Sequence, residues 1–188
     1  MGIRTFIAIE IPEPLRKEFS QLQNELKKSD ADVKWVDPKN MHLTLKFLGN
    51  TEEKELREIK EVLEKNIQDT NPFEINFFRL GAFPKLDFPR VIWVGIEKGK
   101  ENLTLLAEKI EKCLVQRGFP KEKKPYSCHL TLGRLRSFKN KDKLKKIFEE
   151  RINFRTENNL IVDKIFLFKS ELTSLGPIYT KLVEFPFS

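Results

Sequence analysis

The chain has 188 residues, 39% of them hydrophobic and 34% charged, and its formal net charge is +7. This length supports one well-cored domain, and we expect residues 1–188 to form a single domain of two lobes. No stretch approaches the roughly eighteen apolar residues of a membrane-spanning helix, and the apolar run near the start closes on Glu10 without a cleavage site. Two cysteines, Cys113 and Cys128, are too few for a disulfide framework. We therefore expect a cytoplasmic protein without membrane contact.

The sequence up to residue 67 predicts the order strand, helix, strand, strand, helix. Two stretches carry apolar residues at steps of three and four, which is typical of a helix with one buried face. Gly49-Asn50-Thr51 predicts a turn, with Thr51 at the start of the second helix. The predicted elements are a strand at 3–10, a helix at 13–28, strands at 33–36 and 41–48, and a helix at 52–67.

The remaining sequence predicts two strands around a loop with Pro84 and Pro89, then a helix that stops at Gly118. Much of it alternates apolar and polar residues, which favours antiparallel sheets with one face in water. The predicted class is therefore α+β in two related halves, although no repeat is evident outside the histidine motifs. The predicted elements are strands within 72–83 and 89–97, a helix at 101–117, a strand at 127–135, a short basic helix at 140–150, and strands at 160–172 and 178–187.

The positive charge is concentrated in one segment. Residues 121–146 hold ten Lys and Arg against two acids, whereas the rest of the chain holds 25 basic and 26 acidic residues. Such a segment is either an ordinary solvated surface or an electrostatic footprint for a polyanion such as RNA.

Both histidines of the chain, His42 and His129, open the same four letters, His-Leu-Thr-Leu. At average residue frequencies this coincidence has odds of roughly one in millions. Successive side chains of a strand point to opposite faces, so His42, Thr44 and Lys46 are expected to share one face. In the second motif His129 and Thr131 share a face in the same way. Duplication that kept only a structural role is the alternative.

Two imidazoles with two hydroxyls suit phosphodiester chemistry. Near neutral pH one ring can act as a base on an attacking water while the other, protonated, donates to the departing oxygen. The threonine hydroxyls would donate to non-bridging phosphate oxygens, and Lys46 would add positive potential. Two histidines without an acid in either motif fall short of a catalytic zinc site, and Cys128 should face away from His129. We predict neither a metal nor a cofactor nor a cysteine nucleophile.

The two motifs resemble those of the two-histidine phosphoesterase superfamily, and the chain is especially similar to its RNA 2′,3′-cyclic phosphodiesterase branch, also called 2′-5′ RNA ligase-like. The phrases RTFIAIEIPE, MHLTLKFLGN, GAFP, RVIWVGIE, CHLTLGRL and GPIYTKL resemble that branch in order and spacing, over nearly the whole chain. The resemblance implies two pseudo-symmetric α+β lobes, whose antiparallel sheets form a central groove with one motif from each lobe.

The resemblance also implies an activity, the hydrolysis of RNA 2′,3′-cyclic phosphate ends to 2′-phosphomonoesters, with 2′-5′ joining as the related reverse reaction. That outcome breaks the bond to O3′, so His42 would be the proton donor and His129 the proton acceptor. Residue chemistry alone leaves both assignments open. Thr44 and Thr131 would bind the phosphate. The expected partner is RNA with such an end, tRNA fragments among them, and we expect a monomer.

Three residues outside the motifs complete the expected site and its surroundings. The family suggests a positive residue after the second motif, and Arg134 occupies that position. Strict alternation places Arg134 on the apolar face, so it is either an ordinary surface residue or is turned by a bulge at Gly133. Tyr179 could stack on or hydrogen-bond a terminal nucleotide, whereas we expect Phe83 in the core. The alternative to an enzyme is a non-catalytic module that binds RNA or a nucleotide in the same groove.

Overall fold

The computed structural model describes residues 2–174 and 176–188. None of the helices in these ranges is long and apolar enough to cross a membrane. The α-helices are α1 (Glu13–Lys27), α2 (Glu53–Ile67), α3 (Lys100–Val115) and α4 (Lys141–Glu150). The strands are β1 (Ile3–Glu10), β2 (Val33–Trp35), β3 (His42–Thr51), β4 (Phe73–Ile75), β5 (Phe77–Phe83), β6 (Val91–Ile96), β7 (His129–Leu135), β8 (Leu160–Val162), β9 (Lys164–Thr173) and β10 (Gly176–Pro186).

The described strands form two four-stranded sheets and one separate pair, and every pairing is antiparallel. The first sheet has the order β10-β9-β1-β3, and the second has the order β2-β7-β6-β5. The first histidine motif therefore lies on an edge strand of one sheet and the second on an inner strand of the other. β3 and β7 approach each other, so the two motifs meet where the sheets meet. The predicted α+β class with antiparallel sheets is confirmed.

A single large hydrophobic core packs the helices against both sheets. The apolar faces predicted for the first two helices pack against it: Leu15, Phe19, Leu22 and Leu26 of α1 and Ile59, Leu63 and Ile67 of α2 are buried, and Leu56 of α2 is half-buried. A second, smaller cluster lies on the other face of the first sheet, where Phe6, Ala8, Phe166 and Phe168 pack below Tyr179. Because its residues enter both clusters, β1 is buried on both faces, which makes it a rigid neighbour for β3.

Two of the predicted strands are each divided between two sheets. The segment 72–83 contains β4 and β5, and the segment 160–172 contains β8 and β9. The division falls on a polar residue in each case, Asn76 or Asp163, and β4 then pairs with β8 in a sheet of its own. An apolar run records burial but does not say which partner strand satisfies its backbone, so the sequence alone missed both divisions.

The turn predicted at Gly49-Asn50-Thr51 is wrong. β3 continues to Thr51, which pairs with Ile3, and the hydroxyls of Thr51 and Thr5 lie 2.6 Å apart. Gly49 supports this irregular stretch with a φ of 78°, a conformation that is open to glycine. The start of α2 is capped by Glu52 and Glu55 in a capping box, so Thr51 is not its N-cap.

Candidate active site

The two histidine motifs line one groove of about 540 Å³ between the sheets. The groove takes His42 and Thr44 from β3, and His129 and Thr131 from β7. Arg134 at the end of β7 and Tyr179 on β10 also line it. Six of the seven predicted site residues therefore lie in one cavity, whereas Lys46 does not line it.

The same backbone irregularity follows the threonine in both motifs. In the β1–β3 pairing, Ala8 is opposite Thr44 and Ile7 is opposite Lys46, so the residue between, Leu45, has no partner. The β6–β7 pairing skips the equivalent leucine, Leu132. A bulge of this kind reverses the alternation of faces beyond it. The third residue after each threonine, Phe47 in one strand and Arg134 in the other, consequently faces the groove.

Arg134 lines the groove because of this bulge. Of the two alternatives for Arg134, an ordinary surface position or a bulge at Gly133, the structure has a bulge, which lies one residue earlier, at Leu132. Gly133 has a different function, since a Cβ there would lie 2.7 Å from the side chain of Val33 and 2.9 Å from that of Trp35. Glycine thus allows β2 to cross close to β7 beside the site.

Lys46 does not share the face of His42, and that prediction is wrong. After the bulge its side chain points into the protein and is 2% exposed. Its ammonium donates hydrogen bonds to the Glu111 carboxylate at 2.5 Å and to the Pro120 carbonyl at 2.9 Å. Lys46 therefore connects β3 to α3 and to the loop that leads into the second motif. We do not assign Lys46 a contact with substrate.

Both histidines are held in the same tautomer. The Nδ1 atom of His42 lies 2.7 Å from the carbonyl oxygen of Asn40, and Nδ1 of His129 lies 2.8 Å from that of Ser127. A carbonyl oxygen only accepts hydrogen bonds, so Nδ1 must carry the hydrogen in each ring. The carbonyl oxygen occupies Nδ1 and not Nε2, so the Nε2 atom of each ring is available for proton transfer.

Aromatic rings fix the orientation of each imidazole. The His42 ring lies 4.8 Å from that of Phe6 and meets the Tyr179 ring edge-on at 5.1 Å. The His129 ring meets the Phe83 ring edge-on at 5.1 Å. Phe83, which we expected in the core, is partly exposed and packs against a site histidine instead. Such contacts restrict ring rotation and exclude water from one side of each histidine.

Burial lowers the pKa of both imidazoles below the usual range, and the carbonyl that accepts from Nδ1 offsets part of this effect in each ring. The charge of Arg134 lowers the pKa of His129 further. Both rings are therefore mainly neutral at neutral pH in the free protein. An anionic phosphate placed between them would raise the pKa of both rings, because negative charge favours the protonated form.

Further positive side chains line the groove. Arg4, Lys34 and Lys39 line it together with Arg134; Lys34 pairs directly with Arg134 across the β2–β7 ladder, and Lys39 is paired with Asp37 at 3.4 Å. Sequence reasoning missed Arg4 and Lys34, although alternation along β1 places Arg4 on the face of Phe6. The lysines at 121, 123 and 124, which contribute to the basic segment, are exposed and do not line the groove.

The cysteine next to His129 faces away from the groove, as strand alternation predicts. The Cys128 sulfur lies 3.4 Å from the Thr104 hydroxyl on α3, and burial raises the pKa of its thiol. It is thus poorly suited to act as a nucleophile. Over residues 2–174 and 176–188, no three His, Cys, Asp or Glu side chains are grouped to hold a metal ion.

Comparison with known proteins places the chain in a family. A family model described as LigT like Phosphoesterase matches it twice, over residues 9–93 and 94–179, with one histidine motif in each match. An RNA 2′,3′-cyclic phosphodiesterase of Methanothermobacter thermautotrophicus is 38% identical over 185 residues, which cover 98% of this chain and 99% of the relative. One of Methanocaldococcus jannaschii is 37% identical over 184 residues, which cover 97% and 99%.

A solved structure shares the fold of the whole chain. The crystal structure of the protein TT0787 of Thermus thermophilus matches with a TM-score of 0.81 and 27% identity, covering 98% of this chain and 97% of that one. In this chain, each of two antiparallel sheets brings a His-x-Thr motif to a shared groove. This arrangement is characteristic of a two-lobed phosphoesterase. The chain belongs to the LigT-like phosphoesterase family. The predicted resemblance is confirmed.

Proposed function

We propose that the chain hydrolyses RNA 2′,3′-cyclic phosphate ends to 2′-phosphomonoesters by metal-independent acid and base catalysis. The observation that carries this proposal is the pair of histidines, one from each sheet, that face one groove in the same tautomer with a threonine beside each. The names of the two relatives support the same substrate. The protein would act as one two-lobed domain, because one hydrophobic core packs the helices against both sheets, and we propose a monomer because both histidine motifs of the groove belong to the same chain.

In the proposed reaction, His129 Nε2 removes a proton from water as the water oxygen attacks phosphorus. The P–O3′ bond breaks, and His42 donates its Nε2 proton to O3′, which leaves the phosphate on O2′. The additional lowering of the His129 pKa by Arg134 suits a base, which must be unprotonated to act. His42 would take up its proton when the phosphate anion binds beside it.

Thr44 and Thr131 would donate hydrogen bonds to the non-bridging oxygens, and Arg134 would stabilise the negative charge that develops on them. Tyr179, held edge-on against His42, would contact the terminal nucleotide. With a 5′-hydroxyl of RNA in place of water, the same steps would form a 2′-5′ linkage. tRNA fragments with cyclic ends are proposed substrates, and the two free cysteines fit a reducing compartment such as the cytoplasm.

The test is hydrolysis of a short RNA with a 2′,3′-cyclic phosphate in the presence of EDTA, with the product identified by phosphorus NMR. We expect the wild type to form the 2′-phosphate, and His42→Ala and His129→Ala each to lose roughly 10²–10⁴ in rate. Cys128→Ala is the matched control, because it lies beside His129 but faces α3, and it should keep its activity. RNA binding without turnover by the wild type would instead support the non-catalytic binding module.

A further inference from the structure

The RNA that carries the reacting end must leave the groove, and its path depends on where positive charge is available. The cyclic phosphate is the 3′ end of the substrate, so every other nucleotide lies on its 5′ side. The phosphates of those nucleotides attract lysine and arginine regardless of sequence. This inference therefore rests on the proposed function and extends it to the body of the RNA.

The two sheets differ in the positive charge that is free of acidic partners. Along β9 and β10 of the first sheet the lysines are paired with acids, Lys164 with Glu184, Lys169 with Glu171 and Lys181 with Glu10. On β2 and β7 of the second sheet and just beyond, Lys34, Arg134 and Arg136 have no carboxylate within 4.0 Å among the described residues. The side of the groove formed by β2 and β7 consequently offers the stronger attraction for a phosphate chain.

A basic surface patch with two exposed aromatic rings lies on the loop before β6 and on the segment that leads into α4. It consists of Lys85, Phe88, Phe138, Lys139 and Lys141, and we call it the Phe88 patch. The ring of Phe88 is 53% exposed, and the ammonium groups of Lys85 and Lys141 each lie 5.3 Å from its centre. Phe138 is 55% exposed at the start of α4, and its carbonyl accepts a hydrogen bond from the Lys141 amide. Exposed aromatic rings among lysines are the features that bind single-stranded nucleic acid.

The backbone holds the Phe88 patch next to Arg134. The Leu135 amide, one residue beyond Arg134, donates a 3.0 Å hydrogen bond to the carbonyl of Arg90. Phe88 is two residues before Arg90, so the Cα atoms of these two residues lie within about 7 Å of each other. Asp87, the acid inside this loop, is paired with Lys145 at 2.7 Å, and the charges of Lys85 and Lys141 also lower its pKa, but neither of these two lysines has a carboxylate within 4.0 Å among the described residues. The loop that carries Phe88 also closes beside His129, because the Arg90 amide donates to the Phe83 carbonyl at 2.7 Å and the Phe83 ring contacts the His129 ring.

We propose that single-stranded RNA on the 5′ side of the cyclic phosphate passes Arg134 and binds the Phe88 patch, with a base stacked on Phe88 and phosphates near Lys85 and Lys141. A base stacks on an aromatic ring whatever its identity, so this contact selects for length of single strand and not for sequence. The patch explains why the basic excess of the chain extends beyond the groove, into the start of α4.

The experiment compares a nucleoside 2′,3′-cyclic monophosphate with single-stranded RNA oligomers of increasing length that carry the same end. Phe88→Ala should leave kcat/KM for the mononucleotide unchanged and lower it for the longer RNA by roughly 5- to 100-fold, the range expected for loss of one stacked base. Leu105→Ala and Lys112→Ala, which alter an exposed leucine and an exposed lysine of α3, are the matched controls and should change neither value.

Binding of a labelled RNA that ends in a 2′-phosphate tests the patch without turnover. Replacing Lys85 and Lys141 by alanine should reduce the slope of log affinity against log salt by about 0.7 per lysine. If the wild type turns over neither substrate but the patch variants still weaken RNA binding, the proposed function fails and the patch stands. Equal effects of Phe88→Ala on mononucleotide and long RNA, or no effect on either, would overturn the proposal that RNA binds the Phe88 patch.

Discussion

The strand that carries His42 and the strand that carries His129 have the same backbone geometry through their motifs. They differ in the residue that follows the bulge. Each histidine donates from Nδ1 to a carbonyl two residues earlier, and each strand bulges at the leucine after its threonine. Beyond the bulge the first strand places Phe47 in the groove, whereas the second places Arg134 there. The duplicated backbone thus brings two similar histidines together, and the residue after the bulge makes their surroundings unequal.

This inequality gives the two histidines different neighbours. The His42 ring contacts Phe6 and Tyr179, whereas the His129 ring contacts Phe83 and lies close enough to Arg134 for that charge to lower its pKa. Different surroundings favour a division of roles between two titratable groups, because they push the two pKa values apart. We therefore relate the proposed division into acid and base to one pair of positions, Phe47 and Arg134.

The largest effect outside the histidines should come from Arg134→Gln. Loss of a charged hydrogen-bond donor at the phosphate should lower kcat/KM by roughly 10- to 100-fold. Because Arg134 lowers the pKa of His129, its removal should raise that pKa and move the acidic limb of the kcat/KM profile to higher pH. Phe47→Gln is the matched control on the other strand, and it should leave this limb in place. An unmoved limb in Arg134→Gln would break the link between Arg134 and His129.

A smaller effect on catalysis, but a clear one on stability, is expected from Lys46→Met. This change leaves the Glu111 carboxylate, 23% exposed, without its ammonium partner and should lower the free energy of unfolding by about 1–3 kcal/mol. Urea denaturation measures the loss. The exposed helical pair of Glu53 and Arg57 provides the control, since Arg57→Met should cost no more than about 0.5 kcal/mol.

The kinetics of the same variant examine the corrected position of Lys46. Because its side chain lies on the core face, Lys46→Met should lower kcat/KM less than Thr44→Val, which removes a donor from the groove itself. A greater loss for Lys46→Met, in a variant that remains folded, would show that the ammonium reaches the substrate after all.

Much of the fold could be predicted because local sequence determines it. The helices with apolar stripes follow from periodicity, whereas the convergence of His42, Thr44, His129 and Thr131 in one groove is implied by the resemblance to the two-histidine phosphoesterases. The bulge at Leu45 was not predicted, and the one expected at Gly133 lies at Leu132, because Leu45 and Leu132 have the same identity as leucines in a regular strand. A bulge depends on the register of the partner strand, and that register is a tertiary property.

The same limit explains the errors at individual residues. The partner of Lys46, Glu111, is on a helix far along the chain, so strand alternation alone gave the wrong face. Arg4 and Lys34 carry no motif and enter the groove only because β1 and β2 pair with the histidine strands. The internal repeat also extends beyond the four shared letters, since the family model matches both halves of the chain.

The central claim, that two similarly built histidines divide into an acid and a base, can be tested with a substrate whose leaving group needs no proton. A cyclic phosphorothiolate with sulfur at the 3′ position releases a thiolate, which departs without general acid catalysis. We predict that this substrate restores most of the activity lost in His42→Ala and leaves His129→Ala inactive. Restoration in His129→Ala, and not in His42→Ala, would contradict the assignment.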